Sequence, residues 1–206
     1  MHRATNQFFQ LVGITNDSIL SQNKKLLEDL LASGLDYLYW RNPSDDALLQ
    51  PPVAPVYHPR CLVAALSPKL VRSPFRWHLK DSDRQLLVTA SELTHEKPFS
   101  TSIHQLSEWP KLAGQAEMVF YSPLFQSISK PGYGPTVRLD TIAKQIGAVR
   151  KQQSTLPLLI GLGGITADTV ALVRQAGFDG AALMGALWQA PDPVAALQEI
   201  RTSAFS

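Results

Sequence analysis

Short apolar runs recur along the chain, and most of them are followed by a stretch whose apolar residues keep helical spacing. A run of about four to eight apolar residues bounded by turn residues is typical of a strand buried on both faces of a sheet. Eight runs have this character: 8–15, 35–41, 61–66, 76–79, 99–103, 118–123, 156–163 and 180–185. We therefore predict eight strands.

Five other stretches place their apolar residues on one helical face. They predict helices at 18–33, 106–113, 139–152, 167–176 and 193–203. Gly34 follows the first of them, as expected at a helix end, and Asp192 precedes the last, as expected at a helix start before proline. Strands that alternate with helices form a parallel sheet, and eight of them favour closure into a (β/α)8 TIM barrel of the α/β class over an open sheet.

The region 42–75 contains several prolines and predicts no long helix, so we expect shortened crossovers there. The chain has 206 residues, near the short end for such a barrel, and 45% of them are hydrophobic. That is enough for one large core. We therefore expect a compact barrel that forms a single domain over residues 1–206.

Charge and composition narrow the classes of function. The formal net charge is +2, from 19 basic and 17 acidic residues that are scattered without a basic block, so no nucleic-acid role is expected. No run approaches the roughly 18 apolar residues of a membrane span, and no cleavage signature is present, which favours a cytoplasmic protein without a membrane role. Cys61 is the only cysteine, which excludes a disulfide framework or a thiolate metal cluster.

Two apolar runs near the C-terminus end in glycine, 156–164 (LPLLIGLGG) and 180–185 (GAALMG), one β-α-β unit apart. In parallel barrels the loops after the last two strands commonly form a phosphate cup from backbone N–H groups. The alternative is that the glycines only permit close helix packing. If the cup exists, a side chain at Gly164 is expected to block the ligand without disturbing the barrel.

Chemistry in such a barrel gathers where the strands end. The polar residues at predicted strand ends are Thr15, Asn16, Arg41, His78, Asp81, Asp83, Ser102, His104 and Ser122. The loop 125–134 (FQSISKPGYG) adds Ser127, Ser129 and Lys130 between glycines. Hydroxyl donors, one lysine charge and glycines that permit close approach are suited to wrapping an anion.

The segments SPLFQSISKPGYG, LLIGLGGIT and GFDGAALMGALWQAPDP resemble the thiamine phosphate synthase superfamily, which includes the TenI-like thiazole tautomerases. Weaker matches upstream are LVGIT, LYWRNP, WHLKDSD and STSIHQLSEW. The resemblance implies a homodimeric barrel in thiamine biosynthesis. It also implies a transferase that joins a pyrimidine methyl diphosphate to a thiazole phosphate and releases pyrophosphate.

The resemblance also implies roles for individual residues. Arg41 and Lys130 would hold the diphosphate, beside Ser102, and Asp83 would bind a magnesium ion. The remaining substrate-binding residues would be Ser127, Ser129, His104, Gly163, Gly164, Met184 and Gly185, the last four as the cup for the thiazole phosphate. We expect Mg²⁺ as cofactor and small phosphorylated pyrimidine and thiazole molecules as partners.

Several positions depart from the family pattern. Pro43 stands where a lysine is usual, and Ala65 and Leu66 stand where the third strand usually ends in Asn-Asp. A histidine of the tautomerase branch is replaced by Pro123, although His78 and His104, with pKa values near neutrality, could do acid–base work. Three hypotheses stay open: the synthase reaction, a tautomerase-like isomerisation, and a non-catalytic protein that binds or senses a phosphate ligand.

Overall fold

The computed structural model of the chain describes residues 8–18, 22–42, 52–87, 99–127, 132 and 134–206. Eight parallel strands follow one another around a closed barrel, in which the last strand pairs with the first. They are β1 Gln10–Ile14, β2 Tyr37–Trp40, β3 Cys61–Ala64, β4 Arg76–Leu79, β5 Phe99–Ile103, β6 Ala116–Tyr121, β7 Leu158–Leu162 and β8 Gly180–Leu183. The predicted strands and their closure are confirmed.

The two faces of the strands serve two separate hydrophobic clusters. Successive side chains of a strand point to opposite faces, so a strand of a closed barrel alternates between the interior and the helical layer. The interior cluster consists of Val12, Ile14, Tyr39, Leu62, Ala64, Met118, Phe120, Ile160 and Ala182. The larger cluster packs the outer faces of the strands against the helices. This double burial explains why the strands appear in the sequence as nearly continuous apolar runs.

Six α-helices lie among the described residues: α1 Lys24–Ala32, α2 Asp81–Leu87, α3 Leu139–Gln152, α4 Ala167–Gln175, α5 Gly185–Trp188 and α6 Pro193–Phe205. Helix α3 has the predicted bounds, and α4 and α6 differ from prediction by one or two residues. Helix α1 begins six residues later than predicted, because the side chain of Asn23 accepts a hydrogen bond from Leu26 N–H and caps the helix there.

Two predictions about helices need correction. The stretch predicted as a helix at 106–113 forms a 3-10 helix, Leu106–Leu112, whose Pro110 has no N–H to continue an α-helical ladder. The helices α2 and α5 were not expected, since each is too short to show a periodic pattern. In the described part of 42–75, the only helices are the 3-10 helices Pro55–Arg60 and Pro68–Leu70, as the prolines predict.

The amino-terminal end of the barrel is held by Asp179, which directly precedes β8. Its carboxylate accepts hydrogen bonds from Arg150 Nη2 and from Leu159 N–H, both at 2.8 Å. Its backbone pairs with Gln10 in β1 and with Leu159 in β7. One buried side chain therefore connects α3, β7 and β8 at the end that, in this architecture, serves stability.

Among the described residues, no helix combines the length and the apolar character that crossing a membrane requires.

Candidate functional site

A cavity of about 620 Å³ opens at the carboxyl ends of the strands. Its floor includes the interior residues Ile14, Tyr39 and His78. The polar part of its wall comes from residues at or after the strand ends: Arg41, Asn42, Lys80, Asp81, Ser82, Ser102, His104, Ser122 and Ser127. The parallel arrangement brings these ends together, which is why residues far apart in the sequence share one site. The volume is in the range of small-molecule sites.

A smaller cavity of about 50 Å³ adjoins the first one, where β7 and β8 end. Its lining includes Gly163, Gly164, Met184 and Gly185, the residues predicted to form the cup, together with Ser127. Ser127, Gly163 and Met184 line both cavities, so the two spaces adjoin at this edge. The predicted cup residues are therefore brought together, next to the large cavity.

The reason for glycine at position 164 differs from the one expected. Gly164 has φ +63°, and a Cβ atom there would lie 2.2 Å from the carbonyl oxygen of Gln126. Gly163 has φ +105°, and its Cβ would lie 3.1 Å from Pro123 Cα. Both positions need glycine for the chain itself. The expectation that a side chain at Gly164 would spare the barrel is therefore wrong.

Arg41 connects the two halves of the site. Its backbone N–H donates to Thr15 Oγ1 at 3.0 Å, and Thr15 Oγ1 donates to the Tyr39 carbonyl at 3.2 Å, so the end of β2 is tied to the end of β1. From there the guanidinium extends past the end of β1 towards β8, where its Nη1 lies 3.9 Å from Met184 Sδ. A cation from β2 thus lies against the edge of the predicted cup on β8.

His78 lies in the barrel interior and does not have the near-neutral pKa that the sequence suggested. Burial lowers its pKa to about 3, and the positive charges of Lys80 and Arg41 lower it further. Its Nδ1 is 2.9 Å from Ser100 Oγ, and its ring lies on that of Tyr39 with 4.1 Å between centroids. His78 is consequently a neutral imidazole at physiological pH. Burial also raises the pKa of Tyr39.

His104 has a different environment. Its Nδ1 lies 2.9 Å from the carbonyl oxygen of Ser122, which can only accept a hydrogen bond, so Nδ1 is the donor. In the neutral ring, Nε2 then carries the lone pair. Because His104 is exposed and lines the cavity, it is better placed than His78 to exchange a proton with a ligand.

Both acidic residues that follow β4, Asp81 and Asp83, accept hydrogen bonds from other side chains of the protein. Asp81 lines the cavity, and its Oδ1 accepts from Arg84 Nη2 at 2.6 Å. The same Nη2 is 2.8 Å from Glu108 Oε2. Asp83, the predicted metal ligand, lies in the first turn of α2, where its Oδ1 accepts from Ser82 Oγ at 3.1 Å.

These donors do not complete a magnesium site. Magnesium requires about six oxygen ligands, usually including one or two carboxylates. The described residues contain no group of three or more His, Cys, Asp or Glu side chains that could hold a metal ion. At the end of β3, Ala65 is buried and Leu66 is exposed, and neither can coordinate a cation. The described carboxylates do not by themselves form a complete site for the ion, so magnesium stays a prediction and we assign no reaction step to it.

Two predicted site residues, Ser129 and Lys130, lie outside the described residues, as does Pro43. The sequence analysis did not single out several cavity residues, among them Tyr39, Asn42, Lys80 and Ser82. Lys80 directly follows β4, so the rule that selected Asp81 as a strand-end residue could have selected it as well. Tyr39 lies within an apolar strand, and nothing local distinguishes it from a core residue.

A closed parallel barrel with a cavity at the carboxyl ends of its strands places the chain in the class of α/β-barrel proteins. Within that class, the family model described as Thiamine monophosphate synthase (TMP-TENI) matches residues 74–187, more than half of the chain. The chain belongs to this family, as its motifs predicted.

Individual relatives are similar over part of their length. The thiamine-phosphate synthase of Bacillus velezensis is 37% identical over 107 residues, which are 50% of this chain and 46% of that protein. The thiamine-phosphate synthase of Syntrophomonas wolfei is 30% identical over 118 residues, or 56% of this chain and 53% of that protein. The chain thus spans about half the length of the curated relatives it matches.

Solved structures extend the similarity of fold to the whole chain. Thiamine phosphate pyrophosphorylase from Bacteroides thetaiotaomicron superimposes with a TM-score of 0.66 at 20% identity, covering 96% of this chain and 98% of that one. Thiamine phosphate pyrophosphorylase from Pyrococcus furiosus superimposes with a TM-score of 0.64 at 16% identity, covering 96% of both chains. A 3-hexulose-6-phosphate synthase from Salmonella typhimurium superimposes with a TM-score of 0.58 at 12% identity, covering 96% of this chain and 99% of that one. These similarities support the barrel fold.

Proposed function

We propose that the chain is a transferase that joins a pyrimidine methyl diphosphate to a thiazole phosphate and releases pyrophosphate. The observation that carries this proposal is the position of Arg41, which stands at the end of β2 in the large cavity and extends its guanidinium to Met184 at the cup. A site for two ligands that react with each other needs two adjoining spaces. The large cavity and the small glycine-lined one meet this requirement.

The reaction makes a specific electrostatic demand. The C–O bond to the diphosphate breaks, and its electron pair leaves with the diphosphate. The lone pair of the thiazole nitrogen then forms the new C–N bond to the methylene carbon. Negative charge therefore collects on the leaving group, where preorganised cations and N–H donors lower the barrier. Arg41 would supply the guanidinium at this place, and Lys130 is proposed to supply an ammonium.

The remaining site residues would position the two substrates. Ser127 borders both cavities and so would contact either phosphate group. Ser102 and His104 follow β5 and line the large cavity, where the pyrimidine would lie. The proposed cup for the thiazole phosphate consists of Gly163, Gly164, Met184 and Gly185. Ser129 would act beside Lys130 in the same loop.

Other parts of the proposal rest on the resemblance alone. A magnesium ion at Asp83, a homodimeric assembly, a cytoplasmic location and a place in thiamine biosynthesis all stay predictions. The carboxylates described above give little support to the metal, because Asp81 is engaged by Arg84 and β3 ends without a carboxylate.

The test is formation of thiamine phosphate and pyrophosphate from the two purified substrates by the folded chain, with magnesium and with a chelator. We expect measurable turnover, and Arg41→Ala should lower kcat by about 100- to 1,000-fold, the usual effect of removing one preorganised electrostatic contact. Arg201→Ala is the matched control, because Arg201 is exposed near the end of α6 on the outside of the barrel. Its rate should equal that of the unaltered chain.

Absence of product from the folded, metal-supplied protein would reject the transferase. Binding of thiazole phosphate without turnover would then support the non-catalytic phosphate-binding protein.

A second candidate function is a tautomerase-like isomerisation of a thiazole phosphate, favoured by one observation. The Nδ1 atom of His104 is held by the Ser122 carbonyl, which leaves Nε2 as a base facing the cavity. Isomerisation that is lost in His104→Gln, while Arg41→Ala retains it, would favour this candidate over the transferase.

A further inference from the structure

Three aromatic rings from different strands meet in the barrel interior, at the floor of the large cavity. Between centroids, the Tyr39 ring of β2 lies 4.1 Å from the His78 ring of β4 and 6.0 Å from the Phe120 ring of β6. All three side chains are buried. Tyr39 and His78 also line the cavity, together with the apolar Ile14. A ligand in the cavity therefore meets an aromatic surface with few polar atoms.

The hydroxyl of Tyr39 is a polar group on this floor without a partner in the described part of the protein. No group among the described residues hydrogen-bonds to it, although Tyr39 is only 5% exposed. Buried hydroxyls normally have a partner, because loss of water without a replacement costs free energy. Burial raises the pKa of Tyr39 far above its usual range, while Arg41 opposes this shift and Asp83 adds to it. The phenol therefore keeps its proton and is a hydrogen-bond donor.

His78 supplies no donor at the same floor. Ser100 Oγ donates to the carbonyl of Trp77 at 3.3 Å, so it accepts from His78 Nδ1, which lies 2.9 Å away. Because burial lowers the pKa of His78 to about 3, the ring is neutral and its Nε2 carries no hydrogen. Of the floor residues Ile14, Tyr39 and His78, only Tyr39 has a side-chain hydrogen to offer a ligand.

We propose that Tyr39 is a specificity-determining residue, whose hydroxyl donates to an acceptor nitrogen of a planar heteroaromatic ring that lies on this floor. The ring would pack on the aromatic surface, and its nitrogen would supply the partner that the hydroxyl lacks in the ligand-free protein. The identity of the ring, a pyrimidine, rests on the proposed function. Both nitrogens of a pyrimidine carry lone pairs that can accept a hydrogen bond.

An unpaired donor at the floor discriminates between rings of equal size. A ring that presents a nitrogen to Tyr39 satisfies the hydroxyl. A ring of carbon atoms alone covers the hydroxyl and leaves it without water or a partner, which disfavours binding. The floor therefore selects for a ring nitrogen, independently of the charge on the rest of the ligand.

The test is binding of three ligands to the intact chain, measured by titration calorimetry at one magnesium concentration and without thiazole phosphate. The first is the pyrimidine methyl diphosphate. The second is benzyl diphosphate, which has the same methylene diphosphate on a ring without nitrogen, and the third is inorganic pyrophosphate. Tyr39→Phe removes the hydroxyl and keeps the ring. It should weaken binding of the pyrimidine ligand by about five- to tenfold and leave the other two affinities within about twofold.

Tyr37→Phe is the matched control. Tyr37 lies two positions earlier on β2, at the other end of the barrel, where its ring centroid is 5.2 Å from Arg76 Cζ. It does not line the cavity. The same loss of a phenol hydroxyl from the same strand should therefore leave all three affinities within about twofold of the unaltered chain.

The ligand-free protein provides a second readout. Because the Tyr39 hydroxyl has no partner there, Tyr39→Phe should leave the free energy of unfolding in urea unchanged or raise it. A loss of stability would show that the protein itself engages the hydroxyl, and would overturn the proposal. So would unchanged affinity of Tyr39→Phe for the pyrimidine ligand, an equal loss of affinity for all three ligands, or no binding of the pyrimidine ligand to the unaltered chain.

The specificity role and the transferase fail in different ways. In turnover, Tyr39→Phe should raise KM for the pyrimidine methyl diphosphate and leave KM for the thiazole phosphate unchanged, because the proposed cup lies at the ends of β7 and β8. Binding of the pyrimidine ligand that depends on Tyr39, in a protein that makes no thiamine phosphate, would keep the specificity role and reject the transferase. Product formation with both KM values unchanged in Tyr39→Phe would keep the transferase and reject the specificity role.

Discussion

At the scale of single residues, neighbouring groups decide what each polar side chain of the site can do. The two cavity histidines illustrate this. His78 is enclosed by Tyr39, Phe120 and Ser100 and is kept neutral, whereas His104 is exposed and donates to a backbone carbonyl. The first serves as an aromatic and hydrogen-bonding part of the floor, and the second retains a nitrogen that can accept a proton.

The environment of His78 predicts a pH dependence of stability. Its folded-state pKa of about 3 lies below the usual value of 6.5, so between these pH values the unfolded chain binds more protons than the folded chain. The contribution of His78 to the free energy of unfolding should therefore be fully present above about pH 6.5. It should fall, through this residue, by up to about 1.4 kcal/mol per pH unit as the pH is lowered. Urea unfolding at several pH values measures it.

The variant His78→Phe keeps an aromatic ring on Tyr39 and removes the titrating group. Its stability should depend less on pH than that of the unaltered chain. Equal pH slopes for His78→Phe and the unaltered chain would show that His78 does not resist protonation in the folded state.

At the scale of elements, the two ends of the barrel have different tasks. The carboxyl ends of the strands carry the cavity, and the amino ends carry buried contacts that hold helices and strands together. Asp179 is the clearest example of the second kind, since its carboxylate accepts hydrogen bonds from Arg150 in α3 and from Leu159 N–H in β7.

Replacement of Asp179 should reduce stability without changing ligand binding. Asp179→Ala leaves the Leu159 N–H buried without its acceptor and the Arg150 guanidinium without its anion. We expect the free energy of unfolding to fall by about 2 to 3 kcal/mol, a value below that of a fully buried pair because Arg150 is partly exposed. Urea unfolding measures the loss. A folded Asp179→Ala protein with unchanged stability, or with weakened pyrophosphate binding, would contradict this division between the ends.

At the scale of the whole molecule, closure of the barrel depends on contacts between the first and last parts of the chain. Strand β8 pairs with β1, and α5, directly after β8, reinforces this pairing. Trp188 in α5 donates from Nε1 to the carbonyl of Ile14 at the end of β1, at 2.6 Å and across 174 positions of sequence. Ile14 also lines the cavity, so the same residue contributes to the closure of the barrel and to the candidate site.

The closing hydrogen bond can be tested against a matched tryptophan. Trp188→Phe removes the donor and leaves the buried Ile14 carbonyl without it, so the free energy of unfolding should fall by about 1 kcal/mol beyond any loss of packing. Trp40 is also buried, but its Nε1 has no partner among the described residues, so Trp40→Phe should cost less. Chemical denaturation compares the two. A larger loss in Trp40→Phe than in Trp188→Phe would contradict the role given to the closing bond.

The eight strands, their closure and the end of the barrel where the polar residues gather could all be predicted from the sequence, as could the short crossovers in the described part of 42–75. These follow from local apolar runs, prolines and the position of a residue just after a strand, all of which act over a few neighbouring residues. Membership of the family could also be predicted from the sequence, because the motifs of loop 125–134 and of the two glycine turns are each contiguous in the chain.

The chemical state of the site, by contrast, depends on contacts between segments that are distant in the sequence. Arg41 reaches Met184 across 143 positions, and Arg84 couples Asp81 to Glu108. His78 became neutral because residues from other strands exclude water around it. The need for glycine at 164 likewise comes from the carbonyl of Gln126 on another loop. Charge balance, desolvation and steric room depend on which distant segments approach one another, and no local pattern records that.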